Sequence, residues 1–226
     1  MKVLVIDTAL GACTAAVFDG DQAMAVRSEP MARGHQERLG GLVRDAMDAA
    51  GIGFDALDRI GVTVGPGSFT GLRVGLAFAQ GLGAALDRPV VGLSTLDGLA
   101  ASLAGEAGPV AALIDARRGQ VYARLFVDGR PQAPEAAWTV EEAAKRIAAL
   151  GAPARLVGSA AAGLAETFPE LATAGVEPLA APTPRALGRL ALSADPAAGP
   201  PHPLYLRAPD ASPPSRLPGQ PRQAVS

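Results

Sequence analysis

The segment Ile6-Asp7-Thr8-Ala9-Leu10-Gly11 returns about 108 residues later as Ile114-Asp115-Ala116-Arg117-Arg118-Gly119, with Phe18 in step with Phe126. Each copy closes on an Asp-Gly pair, Asp19-Gly20 and Asp128-Gly129, a dipeptide suited to a tight turn between strands. A repeat this long constrains the fold strongly, because both halves must pack the same order of elements. In the first half, Val3 to Ile6, Cys13 to Phe18 and, more weakly, Ala23 to Arg27 read as strands. From Gln36 to Ala50 the residues Leu39, Leu42, Val43, Ala46, Met47 and Ala50 recur at helical spacing, and Gly51 stops the run. Ile60 to Val64 is a strand, 70–86 a helix, Val90 to Leu93 a strand and Thr95 to Leu103 a helix. In the second half Thr139 and Glu142 form a capping box that opens a helix over Val140 to Leu150, followed by a strand at Arg155 to Val157 and a helix at Ala161 to Thr167. Strands separated by helices pair in parallel, whereas the opening hairpins are antiparallel, so each sheet is mixed. The expectation is a duplicated α/β fold: an N-terminal lobe over 1–103 and a C-terminal lobe over 104–207.

Composition narrows the function classes. Of 226 residues, 49% are hydrophobic but only 4% aromatic, so the cores must be built from Ala, Val and Leu. A formal charge of −2 gives no overall basic field, and nucleic acid is not expected as a direct partner. The opening apolar run is too short for a signal peptide, and no stretch supplies the ~18 uninterrupted apolar residues of a membrane span. The chain therefore reads as cytoplasmic, with Cys13 a buried thiol that has no second cysteine to bridge.

Residues 61–86, GVTVGPGSFTGLRVGLAFAQGLGAAL, run from strand through a glycine turn into a helix, the order in which many proteins hold a nucleotide phosphate. The chemistry of that role is missing. A P-loop needs a Lys to reach the phosphates, and Gly65-Pro66-Gly67-Ser68-Phe69-Thr70-Gly71-Leu72-Arg73 has none. A dinucleotide fingerprint fails on its glycine spacing. The turn is expected to launch a helix, with Ser68 or Thr70 as its cap.

Duplicated halves that each begin with a strand ending in Asp resemble the superfamily of actin, sugar kinases and heat-shock chaperones, whose paired lobes clasp ATP. Within it, IDTA at 6–9, GPGSFTGLRVGLAFAQGL at 65–82, VVGLSTLDGLA at 90–100, IDARRGQVYA at 114–123 and PLYLR at 203–207 are similar to the bacterial TsaB (YeaZ) family. This resemblance covers residues 1 to about 207. It implies a role in making N6-threonylcarbamoyladenosine at position 37 of tRNA, as a noncatalytic scaffold for the transferase TsaD, a homologue of the same fold, together with the ATPase TsaE. It implies no cofactor in this subunit, ATP and magnesium being used by the assembled system, and contact with tRNA only through the complex. It leaves room for a homodimer when the partner is absent.

The residues themselves agree with a silent subunit. Asp7 is followed by Thr8 and Ala9 where related kinases carry flexible glycines, so it reads as a strand-end Asp satisfying its own turn. TsaD binds metal through a His-x-x-x-His pair; here His35 and His202 stand far apart, His35 reading as a solvated cap residue and His202 as surface. No catalytic, cofactor or metal residue is therefore assigned. The alternative is an ATP-dependent phosphotransferase or hydrolase of the same superfamily, which rests on fold alone. Arg117 and Arg118 read as a solvated turn, and Trp138 as a lid on the second lobe.

Between Gly71 and Asp87 the strongly polar side chains Arg73, Gln80 and Asp87 form one narrow stripe, so the helix at 70–86 looks covered on two sides. Gly71, Gly75, Ala79 and Gly83 recur every fourth residue, a groove into which another helix could pack. The resemblance places the TsaD contact on this helix and on the one at 36–50, with Leu39, Leu42, Val43, Ala46 and Met47 in the neighbouring wall. Beyond Arg207, residues 208–226 are rich in Pro and poor in large apolar side chains, and are expected to be a flexible tail.

Overall fold

The computed structural model describes residues 1–171 and 173–207. The flexibility expected of 208–226 lies outside them. Two mixed sheets organise the chain. The first contains β1 (Lys2–Asp7), β2 (Ala12–Asp19), β3 (Gln22–Pro30), β4 (Arg59–Gly65) and β5 (Val90–Ser94), in the order β3-β2-β1-β4-β5. Helices α1 (His35–Ala50), α2 (Phe69–Leu86) and α3 (Thr95–Ala101) belong to this half of the sequence. The second half adds β6 (Val110–Asp115), β7 (Gln120–Val127), β8 (Arg130–Pro131), β9 (Ala136–Thr139), α4 (Val140–Ala148), β10 (Ala154–Val157), α5 (Ala161–Thr167), β11 (Thr173–Glu177) and α6 (Pro184–Ser193). Its sheet runs β11-β10-β6-β7-β8, with β9 also on β7, which repeats the topology of the first. The hairpins are antiparallel and the helix-separated strands parallel in both.

The repeat is real but displaced by one residue at its most conspicuous point. Leu4 and Ile6 pack beneath α1 and α2, and the residues that pack beneath α4 and α5 in the second half are Ala111 and Leu113. Ile114 points instead to the opposite face, against Leu96 and Leu99 of α3. On the next strand Cys13, Ala15 and Val17 match Val121, Ala123 and Leu125 at the full 108. One extra residue in the second strand-to-strand loop accounts for the difference. Asp115 thus occupies the place of Thr8, not Asp7: Asp7 is buried and Asp115 is exposed.

Each half covers the other's sheet. Helix α3 lies on β6 and β7, where Leu96 and Leu99 meet Ala112, Ile114, Phe126 and Val157. Helix α6 returns to the first sheet, where Leu187 and Ala191 meet Val3, Val5, Phe18, Val91 and Leu93. The two crossing helices touch: the Thr183 backbone N–H donates to Ser102 Oγ (2.9 Å), and Gly98 leaves room for Pro182. At the far end of α6, Arg59 donates to the carbonyls of Ala191 (2.8 Å), Leu192 (3.3 Å) and Ala194 (2.8 Å), satisfying the orphan acceptors of a helix C-terminus.

Sequence periodicity missed β11 and α6. Thr183 followed by Pro184 is a helix-start signal that could have found α6, and Thr183 Oγ1 does accept from Ala186 N–H (3.3 Å). The weak strand at 23–27 is longer than expected, because its pairing with β2 extends through polar Arg27, Ser28 and Glu29 at the sheet edge.

Candidate functional site

The glycine turn at the start of α2 is filled by protein. Ser68 Oγ accepts from Gly71 N–H (3.2 Å), capping the helix, while Ser68 N–H donates to the carbonyl of Ala9 (2.7 Å). Thr8 Oγ1 donates to the carbonyl of Gly71 (2.8 Å), inserting the β1–β2 loop against the first turn of α2. A Cβ at Gly67 would collide with Ala9 O, one at Gly71 with Thr8 O and one at Gly75 with Thr8 Oγ1. These glycines allow one stretch of backbone to touch another.

Asp7 lies beneath this loop, fully buried. Its Oδ1 accepts from Ala9 N–H (2.9 Å) and Thr63 Oγ1 (2.7 Å), so it serves its own turn as expected, but Oδ2 has no partner. The second copy makes the same turn in solvent, where Arg117 N–H donates to Asp115 Oδ1 (2.8 Å). Burial raises the Asp7 carboxyl above its usual 3.8, against the opposing pull of its two hydrogen bonds and of His35. A carboxyl elevated in the native state binds its proton more tightly there, so the stability it contributes is full in acid and lost as pH rises through the native value. Asp7→Asn keeps an acceptor for both bonds and removes the titration. In urea melts its stability relative to wild type should therefore rise as pH increases from the ordinary carboxylate value of 3.8 upward. Parallel pH profiles for the two proteins would reject a charged-form penalty at Asp7.

His35 corrects its sequence reading. Gly34 is the N-cap of α1, and His35, as the first helical residue, turns inward with only 6% of its surface exposed. Its Nε2 has no partner either. His202 is exposed. Among the described residues, no three His, Cys, Asp or Glu side chains converge where they could hold a metal ion. Trp138 packs half-buried over the second core, with the Arg146 guanidinium 4.8 Å from its ring.

The small-residue stripe of α2 does not face outward. Gly71, Gly75, Ala79 and Gly83 are all buried within the chain: the first two against Thr8, Ala79 in the core beneath the first sheet, Gly83 against Val90. Leu39, Leu42, Val43, Ala46 and Met47 of α1 lie in the same core. These nine residues, expected to meet another helix, are buried inside this chain, whose own sheet and β1–β2 loop pack against the groove of small residues.

The outer face of α2 is the unusual one. Phe69, Thr70, Arg73, Ala77, Gly81, Ala84 and Ala85 are exposed, with Val74, Phe78 and Leu82 half-buried between them. The helix is long and apolar enough to cross a membrane by length and composition, yet only 33% of it is buried. Its polar stripe is used internally: Arg73 Nε donates to Tyr205 Oη (3.2 Å), and Gln80 donates to the carbonyl of Pro201 (2.8 Å). Between α1 and α2 runs a groove of about 500 Å³ lined by Gln36, Leu39, Phe69, Val74, Ala77 and Phe78 among others. Phe69, 50% exposed, stands at its end. An exposed apolar helix face beside a groove is a candidate interaction surface.

The family model for TsaD, tRNA N6-adenosine threonylcarbamoyltransferase, matches residues 26–182. The tRNA threonylcarbamoyladenosine biosynthesis protein TsaB of Escherichia coli (strain K12) is 37% identical over 124 residues, 54% of this chain and 53% of that protein. The chain thus spans about half the length of that curated relative. A Pseudomonas aeruginosa protein of known structure, described as having similarity to peptidase YeaZ, superimposes with a TM-score of 0.78 at 32% identity, covering 91% of this chain and 99% of that one. The ROK hexokinase of Thermus thermophilus superimposes with a TM-score of 0.52 at 16% identity over 86% of this chain and 98% of its own, a likeness of fold alone.

Proposed function

The chain belongs to the TsaB (YeaZ) family, and from that premise we propose that it serves threonylcarbamoyladenosine synthesis in tRNA as a noncatalytic subunit that docks the transferase TsaD. The observation that carries this reading is the bare apolar face of α2 beside α1. On this reading TsaD shares the fold and would present an equivalent pair of helices, so that the two pairs pack as a four-helix contact burying Phe69, Ala77 and Phe78. The inner stripe once expected at the contact acts from behind, seating α2 close on its sheet.

The absence of a catalytic role is supported by the glycine turn. A phosphate held at this helix start would need free N–H groups and open space; here Ser68 N–H is taken by Ala9, and the Thr8–Ala9 backbone occupies the approach. Those residues do not fit nucleotide phosphate, and ATP and magnesium are assigned to the assembled system, with TsaE as its ATPase and tRNA reached through the complex. Calorimetric titration tests both halves. TsaD should bind saturably to the purified chain, and Mg-ATP should not. Saturable Mg-ATP binding with turnover and no partner present would instead favour the phosphotransferase reading.

A further inference from the structure

The apolar face of α2 carries a single charge. Arg73 is the only charged residue of that helix and the only one lining the α1–α2 groove, to which α1 contributes Gln36 and Leu39. Its guanidinium is held in one pose. The guanidinium carbon lies 3.8 Å from the centre of the Phe69 ring, Nε donates to Tyr205 Oη (3.2 Å), and the two rings lie 5.4 Å apart. Tyr205 is anchored in turn, because Leu204 N–H donates to the carbonyl of Val64 (2.7 Å) and Gln80 to the carbonyl of Pro201 (2.8 Å), which fastens the segment bearing it along α2. Both rings and Arg73 itself are exposed.

This pose leaves one edge of the guanidinium unused. Nε is spent on Tyr205, whereas Nη1 and Nη2 make no hydrogen bond or ion pair among the described residues. That edge can grip both oxygens of a carboxylate through two parallel bonds. A lone guanidinium on an apolar face also sets a condition on whatever covers the face. Once water is excluded it is severely unfavourable without a counter-ion, and a carboxylate in forked geometry meets both its charge and its shape. An arginine flanked by exposed aromatic rings is moreover the composition found at the energetic centres of interfaces.

We propose that Arg73 is the specificity-determining residue of this docking face, its Nη edge receiving the carboxylate of an Asp or Glu on TsaD. Phe69 and Tyr205 shield the pair from water, and Tyr205 is a positioning residue that acts through Nε. The inference rests on the TsaD reading and adds the chemistry that the partner must present opposite the first turns of α2.

Calorimetric titration of the full chain with TsaD, at low and high salt, tests the pairing. Arg73→Gln should melt within about 2 °C of wild type, yet bind TsaD at least ~30-fold more weakly and lose most of the salt dependence. Arg73→Lys keeps the charge without the fork and should remain at least about fivefold weaker than wild type. Tyr205→Phe keeps the ring, removes the acceptor for Nε and should weaken binding about threefold at an unchanged melting temperature. Arg73→Glu should abolish binding, and one acidic-to-lysine change in TsaD should restore it. Wild-type affinity in Arg73→Gln or Arg73→Lys, a lost affinity that is matched by a lowered melting temperature, or no acidic position in TsaD that rescues Arg73→Glu would overturn the proposal. The wild-type titration tells the two readings apart: binding that ignores Arg73 refutes the pairing alone, and a wild-type chain that does not bind TsaD refutes the proposed function and the pairing with it.

Discussion

Ala77→Arg is expected to leave the isolated chain melting within about 1 °C of wild type while weakening TsaD binding at least ~100-fold, close to 3 kcal/mol. Ala77 is exposed on the outer face of α2, so in the free protein the guanidinium extends into water at little cost. In a helix-to-helix contact it would be buried without a counter-ion, and an unpaired charge in an interface is severely unfavourable. Ala79→Arg, two residues on, should behave in the opposite way. Ala79 is fully buried beneath the first sheet with Leu76 and Val62, and a guanidinium there has neither water nor partner. Its cost should exceed about 4 kcal/mol, enough to prevent cooperative folding. Thermal melts and calorimetric titration of both variants separate fold from contact. Wild-type affinity in Ala77→Arg would remove the outer face of α2 from the proposed contact.

A second pair of substitutions makes the same helix answer in stability alone. Gly71→Ala should lose at least about 2 kcal/mol and lower the melting temperature by roughly 4–8 °C, because its Cβ would overlap the carbonyl oxygen of Thr8 and either the loop or the helix must move. Gly81→Ala meets nothing within 4 Å and stands exposed. It should gain about 0.5–1 kcal/mol from helix propensity. Equal effects of the two changes would mean that the Thr8 contact is not a fixed feature of the fold.

The helical and strand periodicities of residues 3–103 were legible in the sequence because each buried face there is a single uninterrupted pattern. The apolar positions of α1 all lie inward as the spacing requires. What the pattern could not say is which of two faces of α2 lies inward. Both are small or apolar, and sequence alone favoured the glycine stripe as the open one. The deciding facts are contacts distant in sequence: Thr8 against Gly71, Tyr205 against Arg73 and Pro201 against Gln80. The same limit hid the displaced repeat, since the Ile-Asp pairs at 6–7 and 114–115 match as letters while one added loop residue turns Ile6 and Ile114 to opposite faces. It also hid His35, whose polar neighbours in sequence gave no sign that its own side chain turns inward.

The return of α6 to the first sheet has a consequence for synthesis on the ribosome. Val3, Val5, Phe18, Val91 and Leu93 are translated before residue 95, but the helix that covers them begins only at Pro184. About 100 residues separate the two, so at ~5–20 residues per second the nascent chain carries this uncovered apolar sheet face for on the order of 5–20 s. A chain arrested before α6 emerges can form every strand of the first sheet and still leave one side of it open to whatever binds nascent hydrophobic surface.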